Sequence, residues 1–249
     1  MAKTELLINL NGITYGYPGS APVLENLDLK LEKGSRIGLV APNGSGKTTL
    51  FHIIMGLIKP NAGTVEVFGR PRRQEPDFLE VRRRIGLLFQ DADDQLFSPT
   101  VLEDVAFGPL NLGKSKGEAI EISMRTLKYL GLCGFEDRIT FKLSGGEKKL
   151  VSLATVLAME PEVLLLDEPS TGLDEKTKKA LVKALRELDL SYILISHEAE
   201  FLSATADRIY TMEKGRIRFD QEAYIHSHDH IHRHGDVHPH DHTTVSKAG

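Results

Sequence analysis

The chain of 249 residues contains no tryptophan and a single cysteine, Cys133. One cysteine excludes an internal disulfide, and we expect Cys133 to be a small packed side chain in a reducing compartment. Long apolar runs are also missing, since stretches such as residues 163–166 are far shorter than the roughly 20 residues of a membrane-crossing helix. The sequence therefore predicts a globular chain without disulfides or membrane spans.

Positive charge is not in excess, because 31 Lys and Arg residues stand against 35 Asp and Glu residues, a formal net charge of −4. We therefore expect no nucleic-acid partner, since such domains usually carry surplus Lys and Arg. A local basic cluster consists of Arg70, Arg72, Arg73, Arg82, Arg83 and Arg84. No aromatic residues are interleaved with this cluster, so we interpret it as solvated surface. The N-terminal residues lack a secretory signal pattern, which favours a cytoplasmic location.

The hydrophobic pattern predicts an α/β chain. Alternating or short apolar runs at residues 6–15 and 27–31 predict an early antiparallel layer. Residues 36–40 predict a strand that leads through a Gly-containing loop into a helix at residues 48–55. Later segments return to this pattern, with strands at residues 163–166 and 192–195, a helix at residues 174–188 and a final apolar segment at residues 209–219.

A helical region interrupts this pattern. Ile120, Met124, Leu127 and Leu130 recur at helical intervals, which predicts an amphipathic helix. We predict a helical subdomain at about residues 91–155, inserted in a folded body that comprises residues 1–225.

Residues 41–48, APNGSGKT, fit the phosphate-loop pattern G-x-x-x-x-G-K-[ST] except at the first position, where Ala41 replaces glycine. Gly44 and Gly46 permit the backbone to curl so that its N–H groups face phosphate oxygens at the start of a helix. The predicted nucleotide-binding residues of the loop are Asn43, Gly44, Ser45, Gly46, Lys47, Thr48 and Thr49. An ordinary Gly-rich turn is the alternative.

The side chains at the end of this loop differ in their predicted contacts. Lys47 can reach the β- and γ-phosphates of a nucleotide, and Thr48 supplies a hydroxyl that can ligate Mg²⁺. Thr49 is placed to touch the α-phosphate. The loop therefore predicts a site for a nucleoside triphosphate with magnesium.

A second segment, residues 163–168 (VLLLDE), reads as a hydrophobic strand that ends in two acids. Ligands of open α/β sheets bind at the carboxyl ends of strands, where these acids lie. We predict that Asp167 holds Mg²⁺ through its water shell and that Glu168 polarises the attacking water as general base. A solvated acidic turn is the alternative.

A third segment, residues 143–147 (LSGGE), precedes an apolar helical stretch. Ser144 and Glu147 have capping-box spacing, which predicts a helix N-terminus. Gly145 and Gly146 let an anion approach that N-terminus, which favours negative charge. A plain helix cap is the alternative.

These three segments together resemble the nucleotide-binding subunits of ABC transporters over roughly residues 1–225. The resemblance implies a P-loop NTPase (RecA-like) core with an N-terminal antiparallel β layer and an inserted α-helical subdomain. It also implies a head-to-tail dimer of identical or different ATPase subunits, in which Ser144, Gly145 and Gly146 of one subunit close over the ATP held by the other. Integral membrane subunits are the implied partners, which places the protein at the cytoplasmic face of the cell membrane.

The same resemblance implies further site residues. Tyr17 matches the aromatic residue that stacks on adenine, although a turn aromatic beside Pro18 is an alternative. Gln90 matches the glutamine that approaches Mg²⁺ and senses the membrane partner. Asp174 lies in a segment that resembles the D-loop and is also suited to cap the next helix. His197 matches the histidine that contacts the γ-phosphate.

The implied catalytic residues are Lys47, Gln90, Glu168 and His197. His52 has no match in the family and is interpreted as a packing residue.

Residues 89–109 resemble one subgroup of ABC ATPases in particular, the ATPases of cobalt and nickel, or energy-coupling-factor, importers. In those relatives Gln95, Leu96 and Phe97 would lie near the groove that receives a helix of the membrane subunit. This resemblance favours an importer for cobalt or nickel ions, with a vitamin importer as the alternative.

Eight of the ten histidines lie between residues 226 and 242. We predict that residues 226–249 form a disordered tail, because they contain hardly any apolar side chains. His226, His228, His230, His232 and His234 stand at alternate positions and suit Ni²⁺, Co²⁺ or Zn²⁺. A merely solvated tail and an affinity tag are the alternatives.

Two other classes of function stay open at this point. A soluble ABC ATPase of translation, repair or iron-sulfur assembly is one, but the second ATPase domain or long coiled coil typical of such proteins is missing. A metal-storage protein with an incidental ATPase body is the other.

Overall fold

The structure, a computed structural model, describes residues 5–219, so the predicted histidine-rich tail lies outside the described residues. The strands in this range are β1 (Leu6–Tyr15), β2 (Leu24–Glu32), β3 (Arg36–Val40), β4 (Ala62–Val67), β5 (Arg70–Pro71), β6 (Ile85–Leu88), β7 (Val163–Asp167), β8 (Ser191–Ile195), β9 (Arg208–Glu213) and β10 (Arg216–Phe219). The α-helices are α1 (Lys47–Ile54), α2 (Glu75–Arg84), α3 (Val101–Asn111), α4 (Lys116–Tyr129), α5 (Gly145–Leu157), α6 (Glu175–Glu187) and α7 (Ala199–Thr205). The alternation of strands and helices confirms the predicted α/β class.

The first sheet is the predicted antiparallel layer, with strand order β2-β1-β4-β5. Its central strand β1 pairs antiparallel with both β2 and β4, so that Leu10 lies opposite Leu29 on one side and Val65 on the other. Ile8, Leu10 and Ile13 of β1 have no exposed surface. This layer buries its apolar face against the rest of the core, as an antiparallel sheet with one covered face does.

The second sheet has the strand order β10-β9-β3-β8-β7-β6, and its strands from β9 to β6 run parallel. Every residue of β7 is buried, which is typical of a parallel strand covered on both faces. Because β3, β7 and β8 are parallel, the loops that follow them emerge at the same edge of the sheet. That edge carries the candidate site.

The helices α3, α4 and α5 share a separate apolar cluster that includes Val101, Leu127 and Val151. They span residues 101–157, which overlap the helical subdomain predicted from the sequence at about residues 91–155. The predicted amphipathic helix is present as α4, but its predicted apolar face is wrong, because Ile120 and Met124 are exposed. No helix in residues 5–219 has the length and apolar character needed to cross a bilayer.

Two further predictions from the sequence are wrong. The basic cluster is not uniformly surface, because Arg72 is buried and its guanidinium donates to the carbonyls of Val67 and Asp77 and pairs with Glu80. Its carbonyl acceptors belong to the end of β4 and the first turn of α2, an arrangement that composition does not reveal. Cys133, expected to be packed, is exposed in a turn after α4.

Candidate functional site

The loop after β3 is shaped by two glycines. Gly44 and Gly46 have φ angles of 77° and 97°, in the left-handed region that a residue without a Cβ adopts readily. A Cβ at Gly46 would also lie 2.7 Å from Cδ2 of Leu24. Ala41 is buried and has no positive φ, so its replacement of glycine introduces no backbone strain. The loop thus keeps the curled path that the pattern predicts.

Helix α1 begins at Lys47 without a side-chain cap on its N-terminus, so its first N–H groups face outward to an incoming acceptor. The Lys47 side chain is buried, and its Nζ donates to Asn43 Oδ1 at 3.2 Å. The same Nζ lies 3.5 Å from Glu168 Oε1. A buried ammonium paired with one carboxylate, with a second carboxylate nearby and open N–H groups beside it, is suited to a polyanion.

Asp167 ends β7 and is buried beside the first turn of α1. Its Oδ2 accepts a hydrogen bond from the Thr48 hydroxyl at 3.2 Å, whereas its buried Oδ1 has no hydrogen-bond partner among the described residues. Burial raises the pKa of Asp167, and nearby Lys47 and the Thr48 hydrogen bond only partly offset this effect. A carboxylate oxygen that is buried and unpartnered next to a hydroxyl fits the oxygen ligands that Mg²⁺ prefers.

Glu168 is held in an unusual backbone conformation. Its φ is 50°, which costs a residue with a side chain about 1–3 kcal/mol and occurs mostly at functional positions. The backbone N–H of Glu168 donates to the carbonyl of Ile195 at 3.0 Å, which ties it to the neighbouring strand β8. This conformation directs a buried carboxylate towards Lys47 rather than continuing the strand.

His197 follows β8 and reaches the same carboxylate. Its Nδ1 lies 3.0 Å from Glu168 Oε2, and the hydroxyl of Thr171 donates to that oxygen at 3.2 Å. The His197 side chain is 65% exposed, whereas that of Glu168 is 3% exposed. The imidazole therefore connects a buried carboxylate with solvent.

Gln90 lies on the exposed rim of a cleft of about 610 Å³ that is also lined by Thr48 and Asp167. His52 lines this cleft as well, although the sequence interpretation assigned it to packing. The signal for His52 was its spacing, because residues four apart on a helix share a face and Thr48 lies four positions earlier. The cleft thus collects groups from α1, β7 and the loop after β6.

Tyr17 lies in the turn after β1 and is 44% exposed. Its hydroxyl is 3.2 Å from Thr49 Oγ1, and its ring meets that of Tyr15 edge to face at a centroid distance of 5.1 Å. The exposed ring is therefore held beside the start of α1, which suits a flat apolar group stacked on it.

The segment with Ser144 forms the predicted helix start. The backbone N–H of Glu147 donates to Ser144 Oγ and Glu147 accepts in return from the Ser144 N–H, so that both groups form the capping box of α5. Gly145 has open space around it, and a Cβ at Gly146 would meet only Leu173 and Gly172. Among the described residues, no hydrogen bond joins this helix start to the phosphate loop. Asp174 likewise stays apart, and caps α6 through the N–H and hydroxyl of Thr177.

The sequence interpretation missed Lys149, which lies in the second turn of α5. Its buried Nζ donates to the carbonyl oxygens of Phe89 at 3.2 Å and Gln90 at 2.5 Å. Burial lowers the pKa of Lys149, against the opposing effect of nearby Asp167, Asp91 and Glu168. No local pattern could reveal this lysine, because its acceptors are backbone atoms about 60 residues away in sequence.

The sequence profile of the family described as ABC transporter matches residues 24–171, which include the phosphate loop, the Ser144 segment and the two acids. The chain belongs to this family. As an ABC ATPase it binds and hydrolyses ATP, the reaction for which the arrangement of Lys47, Asp167 and Glu168 is suited.

Curated relatives indicate to which group of ABC ATPases this chain is similar in sequence. A protein of Nitratidesulfovibrio vulgaris named as an ABC transporter ATP-binding protein is 49% identical over 95% of this chain and 86% of its own length. The energy-coupling factor transporter ATP-binding protein EcfA of Methanothermobacter thermautotrophicus is 42% identical over 85% of this chain and 69% of its own length.

Solved structures agree with this placement. The cbiO1 protein of Clostridium perfringens, described as part of the ABC transporter complex cbiONQ, has a TM-score of 0.77 and 32% identity over 86% of this chain and 88% of its own. A dimeric ABC transporter cassette bound to ADP and phosphate after hydrolysis has a TM-score of 0.78 and 26% identity over 85% of this chain and 97% of its own. The protein is an ABC ATPase of the energy-coupling-factor and CbiO type.

Proposed function

We propose that the chain is the ATP-hydrolysing subunit that energises a membrane importer for nickel or cobalt ions. The observation that carries the catalytic part is the convergence of Lys47, Glu168 and His197, with Thr48 and Asp167 beside them, at one edge of the parallel sheet. In this proposal Lys47 and the N–H groups of residues 43–49 bind the phosphates, and Tyr17 stacks on the adenine.

The chemistry follows from the contacts of Glu168. Its carboxylate takes a proton from a water molecule, whose oxygen forms a bond to the γ-phosphorus as the bond to the ADP oxygen breaks. Lys47 neutralises charge on the leaving and transferred phosphates, and His197, which already touches Glu168, contacts the γ-phosphate. Thr48, Asp167 and Gln90 would hold Mg²⁺, which supplies charge neutralisation when bound.

The second half of the site comes, in our proposal, from another subunit. Ser144 and Gly145 at this helix start are exposed and Gly146 is half-buried, and none of them has a partner group in the phosphate loop of its own chain among the described residues. Exposed N–H groups and glycines at a helix N-terminus suit the γ-phosphate of an ATP held by a second copy or a related subunit. The solved dimeric cassette supports such a pair. ATP then closes the pair and hydrolysis reopens it.

The catalytic assignment predicts the behaviour of Glu168→Gln. The amide cannot accept the proton from water, so we expect kcat to fall by about 10²–10⁴-fold. ATP binding should persist, and a closed dimer should accumulate with Mg²⁺-ATP, measurable by light scattering during gel filtration. Glu121→Gln, an exposed carboxylate on α4, is the control and should behave as wild type. Wild-type turnover by Glu168→Gln would contradict the assignment of Glu168 as general base.

An exposed apolar surface supports the proposal that the chain binds a membrane subunit. Phe97, Phe107 and Phe141 are exposed by 66%, 48% and 71%, and the rings of Phe97 and Phe107 pack edge to face. Leu96, Phe97 and Phe141 line a depression of about 330 Å³. Exposed aromatic groups around a depression are typical of protein contact sites, and a helix of a membrane subunit fits this one. Gln95, predicted to lie near this groove, hydrogen-bonds to Ser152 and Thr155 of α5.

The nickel or cobalt cargo is supported by the resemblance of residues 89–109 and by the histidine-rich tail, whose imidazoles suit these ions. The tail lies outside the described residues, and its metal binding is a separate part of the proposal. We propose that the protein lies at the cytoplasmic face of the membrane, where it can contact the membrane subunit.

Uptake by vesicles tests the cargo. Vesicles with the chain and its membrane partners should accumulate radiolabelled nickel or cobalt in an ATP-dependent manner. Phe97→Asp should abolish uptake while the purified chain keeps its ATPase activity, and removal of residues 226–249 should raise the metal concentration needed for half-maximal uptake. Absence of uptake of either metal, with ATPase activity retained, would overturn the metal cargo and redirect the search to vitamins.

A further inference from the structure

The loop after β6, residues 89–95, is attached to helix α5 by three side chains. Lys149 donates to the carbonyl oxygens of Phe89 and Gln90, as described above. Lys148, its neighbour, forms an ion pair with Asp93 at 2.5 Å. Gln95 donates to the Ser152 carbonyl and the Thr155 hydroxyl, both at 2.9 Å, and accepts from the Phe89 N–H. The loop therefore has both ends and its centre bound to one helix.

Lys149 is the most unusual of these contacts. It is 5% exposed, and within residues 5–219 it forms no ion pair with a carboxylate. Burying an ammonium without such a partner is costly, and its direct acceptors in the described part of the chain are the two carbonyls just after β6. The charge lies near Asp167, Asp91 and Glu168 without pairing with them, and its direct contacts are with the loop backbone.

This connection joins two parts of the candidate site, the cleft at Gln90 and the helix start at Ser144. Gln90 lines the cleft beside Thr48 and Asp167, and Ser144 caps the N-terminus of α5 less than two turns before Lys149. A short, direct link therefore runs from the start of α5 through Lys149 to the backbone of Gln90. Rigid elements with packed polar contacts are the means by which such coupling occurs.

We propose that Lys149 is a positioning residue that couples the two ATP sites of the working pair by fixing Gln90 to α5. The inference rests on the proposed paired site, in which Ser144 of one subunit contacts the ATP bound by the other. ATP at that contact orders α5, and Lys149 then sets Gln90 in the cleft of its own subunit. Each nucleotide thereby prepares the opposite site, which gives positive cooperativity in ATP hydrolysis.

The test compares steady-state ATPase kinetics of the purified full-length chain and its variants over a range of Mg²⁺-ATP concentrations. Lys149→Met should lower kcat by about tenfold or more and bring the Hill coefficient to one, because Gln90 is no longer held to α5. Binding of Mg²⁺-ATP to the separated subunits, measured by titration calorimetry, should stay within about twofold, since the phosphate loop is untouched. Lys149→Arg keeps the donors and should restore cooperativity.

A matched control separates positioning from stability. Arg72 is likewise a buried cation that donates to backbone carbonyls, but it lies just after β5, outside α5 and the loop after β6. Arg72→Met should lower the midpoint of thermal unfolding as Lys149→Met does and leave the Hill coefficient unchanged. Gln95→Ala, which removes another of the three connections, is a second variant and should lower the Hill coefficient in the same direction.

The outcomes distinguish the inference from the proposed function. If Glu168→Gln forms no dimer with Mg²⁺-ATP, the paired site is overturned and the inference with it. A chain that does form this dimer but hydrolyses ATP without cooperativity as wild type overturns the inference alone. A cooperative wild type whose Hill coefficient and kcat survive in both Lys149→Met and Gln95→Ala overturns the inference alone. A loss of cooperativity in Arg72→Met equal to that in Lys149→Met would also overturn it, because general destabilisation would then account for the effect.

Discussion

Three carboxylates are buried among residues 5–219, and they differ in what surrounds them. Asp167 and Glu168 lie beside Lys47 and Thr48 in the nucleotide cleft. Asp104 lies in the first turns of α3, where its Oδ1 accepts from the N–H groups of Phe97 and Ser98 and its buried Oδ2 has no partner. Asp167 and Glu168 can therefore interact with cations in the cleft, whereas Asp104 fixes the backbone just before α3.

Asp104 predicts a pH dependence of stability. Burial raises the pKa of Asp104 above its ordinary value of 3.8, despite the hydrogen bonds from Ser98 and Phe97. A raised pKa in the folded state means that the folded chain binds this proton more tightly than the unfolded chain. The contribution of Asp104 is therefore fully present below pH 3.8 and is lost as the pH rises through the raised value.

The variant Asp104→Asn lacks this dependence. We expect its free energy of unfolding, measured with urea between about pH 4 and pH 8, to improve relative to wild type as the pH rises and then to level off. Asp189→Asn, an exposed side chain after α6, is the control. A difference between wild type and Asp104→Asn that stays constant over this range would contradict the prediction.

At the scale of elements, three helices begin with the same capping motif, but their N-termini differ in how open they are to a ligand. Helices α3, α4 and α5 each begin with a capping box, formed by Thr100 and Glu103, Ser115 and Glu118, and Ser144 and Glu147. Each box satisfies N–H groups that the first turn leaves without helical partners. Only the box of α5 is followed directly by two glycines, which leave its N-terminus open to an anion.

This comparison predicts two different phenotypes for the same substitution. Ser115→Ala and Ser144→Ala should each lower the free energy of unfolding by about 1 kcal/mol, because each loses a cap. Only Ser144→Ala should also weaken formation of the ATP-bound dimer, measured by light scattering in the Glu168→Gln background. Equal dimer formation in both alanine variants would show that Ser144 acts as a cap alone.

At the scale of the whole molecule, the parallel sheet is covered on both faces. Leu165 belongs to the apolar cluster that includes the antiparallel layer, and Leu164 belongs to the cluster that includes α6 and α7. Both side chains are fully buried. The loops of the candidate site therefore emerge from a sheet that is supported on both faces.

Both faces should contribute to stability. Leu164→Ala and Leu165→Ala should each lower the free energy of unfolding by about 2–5 kcal/mol, because each leaves a cavity in a different cluster. Leu79→Ala, at a position 57% exposed on α2, should change it by less than about 0.5 kcal/mol. Urea unfolding measures all three, and a small effect at Leu164 or Leu165 would mean that its face of the sheet is loosely packed.

The sequence by itself determined the features whose geometry is local. The turn at Gly44 and Gly46, the buried strand that ends at Asp167 and the cap at Ser144 each depend on a few consecutive residues, so their residue types suffice to predict them. The α/β class followed for the same reason, since apolar spacing of strands and helices is also local.

Only the tertiary structure decided which distant residues meet. Glu168 reaches His197, and Lys149 reaches the carbonyls of Phe89 and Gln90, because parallel strands bring separate loops to one edge. The burial of Arg72 likewise depends on carbonyls that its loop presents in space. The physical reason is that such contacts depend on the positions of backbone atoms far apart in the chain, and those positions exist only once the core has packed.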